Sequence, residues 1–123
     1  MRIDKTQLNI IKSYINPPQM VVQVLKACCL IFGYEENWEN AKRYLLGDIR
    51  FLEKLKSYEV ANKFELFETL RSKYIASPEW VRQNVATQSE ACLNIFDWLM
   101  AIDELEKINA FADEIIAEAG VVA

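Results

Sequence analysis

The chain contains no histidine. The commonest general base and the commonest metal ligand are thereby missing together. Glycine is scarce: Gly33, Gly47 and Gly120 are all there is. Neither a phosphate-binding P-loop nor a dinucleotide fingerprint can be written with glycines so far apart. Three cysteines, Cys28, Cys29 and Cys92, make a poor disulfide framework and include no Cys-x-x-Cys pair. Adjacent helical residues point about 100° apart, so Cys28 and Cys29 suit burial better than a shared metal. Their number fits a reducing compartment. No apolar run approaches the roughly 18 residues of a membrane span. The segment Met1 to Lys5 lacks the apolar core of a signal peptide. These absences predict a cytosolic, non-enzymatic chain with no metal and no cofactor of its own.

What is present is an ordinary globular balance. Apolar residues make up 52 % and charged residues 26 % of 123 residues, enough for one domain with a modest core. The net charge of −4 argues against nucleic acid as a partner. That charge is unevenly spread. Residues 98–123 carry six carboxylates against the single Lys107, whereas residues 42–56 hold Lys42, Arg43, Arg50, Lys54 and Lys56 against Asp48 and Glu53. A local basic patch in an acidic chain makes an acidic partner plausible without naming it.

The fold class is all-α. Proline and glycine fall where helices should start and stop, and no alternating segment flanked by turns reads as a strand. Residues 3–15 read as a helix with Asp4, Leu8, Ile11 and Ile15 on one line. Asn16-Pro17-Pro18 must interrupt it, because each proline removes a donor and disfavours helix in the residue before it. Asn16 is the expected cap of a second helix ending at Gly33. Shorter helices follow: Trp38–Leu46 capped by Asn37, Phe51–Tyr58 capped by Asp48, and Lys63–Ile75 with Asn62 and Glu65 as a capping box. Ser77-Pro78-Glu79 is expected to open one last, uninterrupted helix reaching Gly120.

That last stretch carries Ala91, Ile95, Trp98, Ile102, Leu105, Asn109, Ala112 and Ile116 at alternating spacings of four and three. The pattern is a coiled-coil seam about 39 Å long at 1.5 Å per residue. Leu8, Ile11 and Ile15 supply a short complementary seam. The expectation is a small helical bundle at the tip of an antiparallel two-stranded coiled coil. Asn109 is a polar residue within the seam, of the kind that fixes register.

The carboxylates Glu35-Glu36, Glu65/Glu68 and Asp103/Glu104/Glu106 read as solvated helix faces. Trp38, Trp80 and Trp98 read as core anchors.

Taken together these residues resemble a known family. Asn16-Pro17-Pro18 followed by Val21, Val24, Cys28, Cys29, Leu30, Ile31 and Gly33 is similar to the stalk-to-tip junction of dynein heavy chains. Trp38-Glu39-x-Ala41-Lys42, Leu46-Gly47-Asp48, Phe51-Leu52 and Leu55 resemble its next block. Tyr74-Ile75-x-x-Pro78, then Ser89, Ala91, Trp98 and Ala101, resemble the block entering the second stalk helix. The resemblance spans roughly residues 10–105, and its Trp-Glu-x-Ala-Lys and Leu-Gly-Asp forms look more axonemal than cytoplasmic.

The resemblance implies the microtubule-binding domain of a motor protein. Residues 1–15 would end the first stalk helix, 16–97 would form the tip, and 98–123 would begin the second stalk helix. It implies reversible attachment to tubulin, with affinity set by the register of the two stalk helices. The implied tubulin-facing residues are Gln19, Gln23, Lys26, Arg50, Lys54, Lys56, Arg82, Asn84, Thr87 and Gln88. The implied stalk seam is Leu8, Ile11, Ile15, Ile95, Trp98, Ile102, Leu105 and Asn109. The implied location is the cytoskeleton of the cytoplasm, in a cilium or flagellum axoneme. The sequence departs from the family where cytoplasmic members often carry basic residues: here stand Val22, Thr87 and Asp97. The alternative is a weak tubulin binder that mainly docks an axonemal accessory light chain.

Overall fold

The double proline does divide two helices in the computed structural model, which describes residues 3–120. Helix α1 (Lys5–Lys12) opens on Asp4, whose side chain accepts from the Gln7 amide at 2.9 Å. It closes at Ser13, short of the expected limit, and Ile15 is left 90 % exposed. Helix α2 (Gln19–Phe32) follows. Its N-cap is Pro18 rather than Asn16, and no side chain of its own segment caps it. Gly33 ends it at φ 82, the left-handed geometry that glycine adopts without Cβ strain.

Helix α2 is the axis of the body. It touches α3 (Trp38–Asn40), the π-helical segment Ala41–Leu46, α5 (Phe64–Leu70), α6 (Arg82–Gln88) and α7 (Glu90–Glu118). Val21, Val24, Leu25, Ala27, Cys28 and Cys29 are wholly buried as a result. Truncating one such side chain, as in Leu25→Ala, costs about 2–5 kcal/mol because the surrounding elements cannot all close on the gap.

Asn37 caps α3 as expected, accepting from the Asn40 amide at 2.7 Å. Gly47 then turns the chain where any Cβ would sit 2.7 Å from the Arg43 carbonyl oxygen. Helix α4 (Phe51–Lys56) starts after Arg50, with Asp48 Oδ1 accepting from the Arg50 amide at 2.9 Å. Helix α5 has no side-chain cap: Asn62 sits at φ 61 instead of forming the box with Glu65. It runs on as a second π-helical segment, Arg71–Ile75.

The expected single helix from Pro78 onward is two helices. The short α6 ends at Ser89, which is extended at φ −161 and starts α7 by accepting from the Cys92 amide at 3.2 Å. The expected helix runs through Ser89, although Ser followed by Glu90 is itself a start signal. Helix α7 is the longest element, at 29 residues. It runs antiparallel to α1: Asn94 donates to Gln7 at 3.2 Å, and Tyr14 meets Ser89 at 2.9 Å. The described residues form an all-α bundle.

Candidate functional site

Three residues of the expected tubulin-facing set converge at the N-terminal end of α2. Gln19 Nε2 donates to Glu79 at 3.3 Å, and Asn84 Nδ2 donates to the Glu79 carbonyl at 3.0 Å. Gln88 Oε1 accepts from the Met20 amide at 2.7 Å. An α6 side chain therefore satisfies one of the open donors of α2, which explains how a proline-capped helix can start there. Arg82 lies on the same helix and grips Asp97 of α7 at 2.9 and 3.0 Å. That pairing, helped by Asp97's charge, raises the guanidinium pKa. Thr87 is exposed and bonds within α6, to the Gln83 carbonyl at 2.8 Å. Gln23 and Lys26 are half-buried on α2, as is Val22.

Arg50, Lys54 and Lys56 belong to a different place. Phe51 of α4 packs edge-on against Phe32, ring centres 5.9 Å apart, at the C-terminal end of α2. The 14 residues of α2 put that end about 20 Å from Gln19. No hydrogen bond or ion pair among the described residues links the two groups. Lys54 is already engaged, donating to Asp48 at 2.6 Å, and this bond holds the Asp48 carboxyl below its usual range. Arg50 makes only a loose contact with Glu53 at 3.8 Å. Lys56 is exposed.

The seam residues also separate. Leu8 and Ile11 are buried. Trp98 is buried in the body, not against α1. It stacks on Phe32 at 5.9 Å, meets Tyr58 edge-on at 5.7 Å and donates to the Leu55 carbonyl at 3.1 Å. Ile95 and Ile102 are buried, Asn109 is half-buried, and Leu105 is 51 % exposed. The hydrogen bonds from Tyr14 to Ser89 and from Asn94 to Gln7 lie at the start of α7. Beyond, α7 shows Leu105, Ile108, Phe111, Ile115 and Ile116 to solvent.

Known proteins are similar to this sequence. Dynein axonemal heavy chain 6 of Homo sapiens is 32 % identical over 105 residues, covering 85 % of this chain. The cytoplasmic dynein heavy chain of Saccharomyces cerevisiae is 26 % identical over 119 residues, covering 94 %. Dynein-1-beta heavy chain of the flagellar inner arm I1 complex of Chlamydomonas reinhardtii is 25 % identical over 101 residues, covering 82 %. Its homologues are dynein heavy chains. No protein-family model matches the chain. The segment spans only 2–3 % of the length of these dynein relatives.

In this dynein-related segment the acidic face of α7 is solvated only in part: Glu104 is exposed as expected, but Asp103 and Glu106 are not. Asp103 is 1 % and Glu106 3 % exposed, and Arg71 lies between them. Arg71 Nε donates to Asp103 at 2.8 Å and its terminal nitrogen to Glu106, while Glu68 accepts at 3.3 Å. Lys107 faces the other Asp103 oxygen at 3.4 Å. Burial disfavours the Arg71 charge, but the bonds to Glu106 and Asp103 outweigh it and raise the pKa. Glu36 is similarly bound, accepting from Tyr74 and pairing with Lys73 at 2.8 Å. Neither cluster was visible in the sequence, because the partners are tens of residues apart. Among the described residues, no group of three or more His, Cys, Asp or Glu side chains could hold a metal ion, and no helix is long and apolar enough to cross a membrane.

Proposed function

We propose that this segment is the microtubule-binding tip of a dynein heavy chain, joined to the first turns of its coiled-coil stalk. One observation carries the reading: in a chain related to dynein heavy chains, α1 and α7 lie antiparallel, and α7 runs on past α1 with an apolar stripe exposed. Such a stripe, at helical spacing on an otherwise acidic helix, is what a stalk partner would cover. The segment attaches and releases tubulin and performs no chemistry itself. Where α1 meets α7, the bonds from Tyr14 to Ser89 and from Asn94 to Gln7 are neutral, and no ion pair joins the two helices among the described residues. A slide of one turn, about 5.4 Å, breaks little there. Pro17-Pro18 would pass that movement to Gln19 and Met20 at the start of α2. The working place is the cytoskeleton, in an axoneme.

Co-sedimentation of the segment with microtubules across a salt series tests this. Binding at low salt that fades as salt rises is expected. No pelleting above a helical control at low salt would remove the tubulin reading.

A second reading draws on the ion pairs. Arg82 and Lys54 are both neutralised by neighbours, Asp97 and Asp48, which leaves less free positive charge for an acidic lattice. The tip would then bind tubulin weakly and dock chiefly to an axonemal accessory light chain.

A further inference from the structure

We infer that Arg71 is a register latch: it fixes the position of α7 along the bundle by holding Asp103 and Glu106, which lie almost one turn apart on that helix. The inference rests on the proposed tip only for its functional meaning. The latch itself stands on the geometry of the segment.

Two nearly inaccessible carboxylates meet one guanidinium that is itself 21 % exposed. Burying charge is costly, and apolar side chains of similar volume are often equal or better for stability. A cluster of this kind is poorly explained as simple glue. What it adds is selectivity among alternative packings, the best-attested use of a buried polar group in helical pairs.

The sequence of α7 shows the selectivity directly. If α7 moves by four residues one way, Leu99 and Ile102 come opposite Arg71, leaving its charge without an acceptor. If it moves four residues the other way, Lys107 and Ala110 arrive, and lysine faces arginine. Only the observed position gives the fork two carboxylates, and Arg fits it where a single ammonium would not. The spacing of threes and fours repeats along the apolar face, so there it is Trp98 alone, seated among Phe32, Tyr58 and the Leu55 carbonyl, that opposes the same shifts beside Arg71. Phe67 and Leu70 of α5, both wholly buried, hold the Arg71 backbone in place. Within the proposed function, α7 is thus tied to the tip body, while among the described residues the α1 contact has no comparable ionic tie.

Pulsed electron–electron distance measurement tests the latch on the full chain, with spin labels at Ser72→Cys and Glu114→Cys. Both sites are exposed, and the three native thiols are buried. One narrow distance is expected with Arg71 present. Arg71→Met strands two carboxylates and is prone to unfold, so the deciding variant is Arg71→Met with Asp103→Leu and Glu106→Met. It should keep its helix content and show a second population displaced by about 5 Å, one helical turn. Arg71→Lys should show the same second population at a smaller share. A single unchanged distance in both variants overturns the latch. So does loss of helix content in the triple variant, which would make the cluster a requirement for folding and not for register. No microtubule enters the measurement, so failure of the tubulin reading would leave its result intact.

Discussion

Arg82 holds Asp97 through two hydrogen bonds, at 2.9 and 3.0 Å, and so spends on its own chain the charge expected to meet tubulin. The pair bridges α6 and α7 on the surface, where 61 % of the Arg82 and 41 % of the Asp97 side chain is exposed. An exposed pair of this kind contributes little to folding, so it can be broken without unfolding the tip. Asp97→Asn should leave the melting midpoint nearly unchanged and raise microtubule affinity several-fold at low salt. Co-sedimentation against the parent chain reads this out. An unchanged affinity would place Arg82 off the lattice-facing surface.

The α4 patch is separate from that surface and gives an independent test. Arg50→Glu with Lys56→Glu reverses two exposed charges and spares Lys54, whose bond to Asp48 shapes the turn. Microtubule affinity should fall roughly tenfold with circular dichroism unchanged, if both groups make desolvated contacts. Wild-type affinity in this variant would confine the binding surface to the α2–α6 end.

Ser89 does two jobs: it caps α7 through the Cys92 amide and meets the Tyr14 hydroxyl across to the end of α1. Ser89→Ala should cost about 1 kcal/mol from the cap alone. That is a drop of a few degrees in the thermal midpoint for a domain of this size. A melt that overlays the parent would mean the cap is replaced by water.

The thiols make a pH prediction. Burial raises Cys29 to about 11 and Cys92 to about 12, from an ordinary value of 9.0. Above 9 the unfolded chain loses these protons while the folded chain keeps them, so the unfolded state binds fewer protons and stability falls as pH rises. The thermal midpoint should decline between pH 9 and 11. Cys92→Ala should flatten that decline while lowering the midpoint at pH 7. At pH 8 a thiol reagent should label the native chain slowly and the denatured chain at all three cysteines.

Asn109 lies past the reach of α1, so Asn109→Leu should move the stability of this chain by less than about 0.5 kcal/mol. A larger gain in denaturant titration would show that the residue is already packed without an added stalk partner.

The helices were legible because punctuation was strong: Gly33, Asn37 and Pro17-Pro18 mark ends that hold in the structure. The two π-helical segments left no trace, since one extra residue per turn changes no residue type. Trp98 shows why the seam was overextended. A core-facing stripe and a coiled-coil seam share the same spacing, and only the presence of Phe32 and Tyr58 decides which one is buried. Asp103 and Glu106 misled for the complementary reason: an acidic helix face is usually wet, and the arginine that dries this one is 32 residues away from Asp103. Of the expected surface, Gln19, Asn84 and Gln88 do gather in one place, whereas the basic residues of α4 do not join them.

The bond from the Met20 amide to Gln88 has a consequence for how a partner could be sensed. The oxygen of this carboxamide faces α2, whereas its nitrogen keeps two donors for a partner. A partner that takes the oxygen itself must uncap α2, and any strain that pulls α2 away from α6 must release that oxygen to the outside. Occupancy of the surface and tension in the chain after the prolines are two readings of one hydrogen bond.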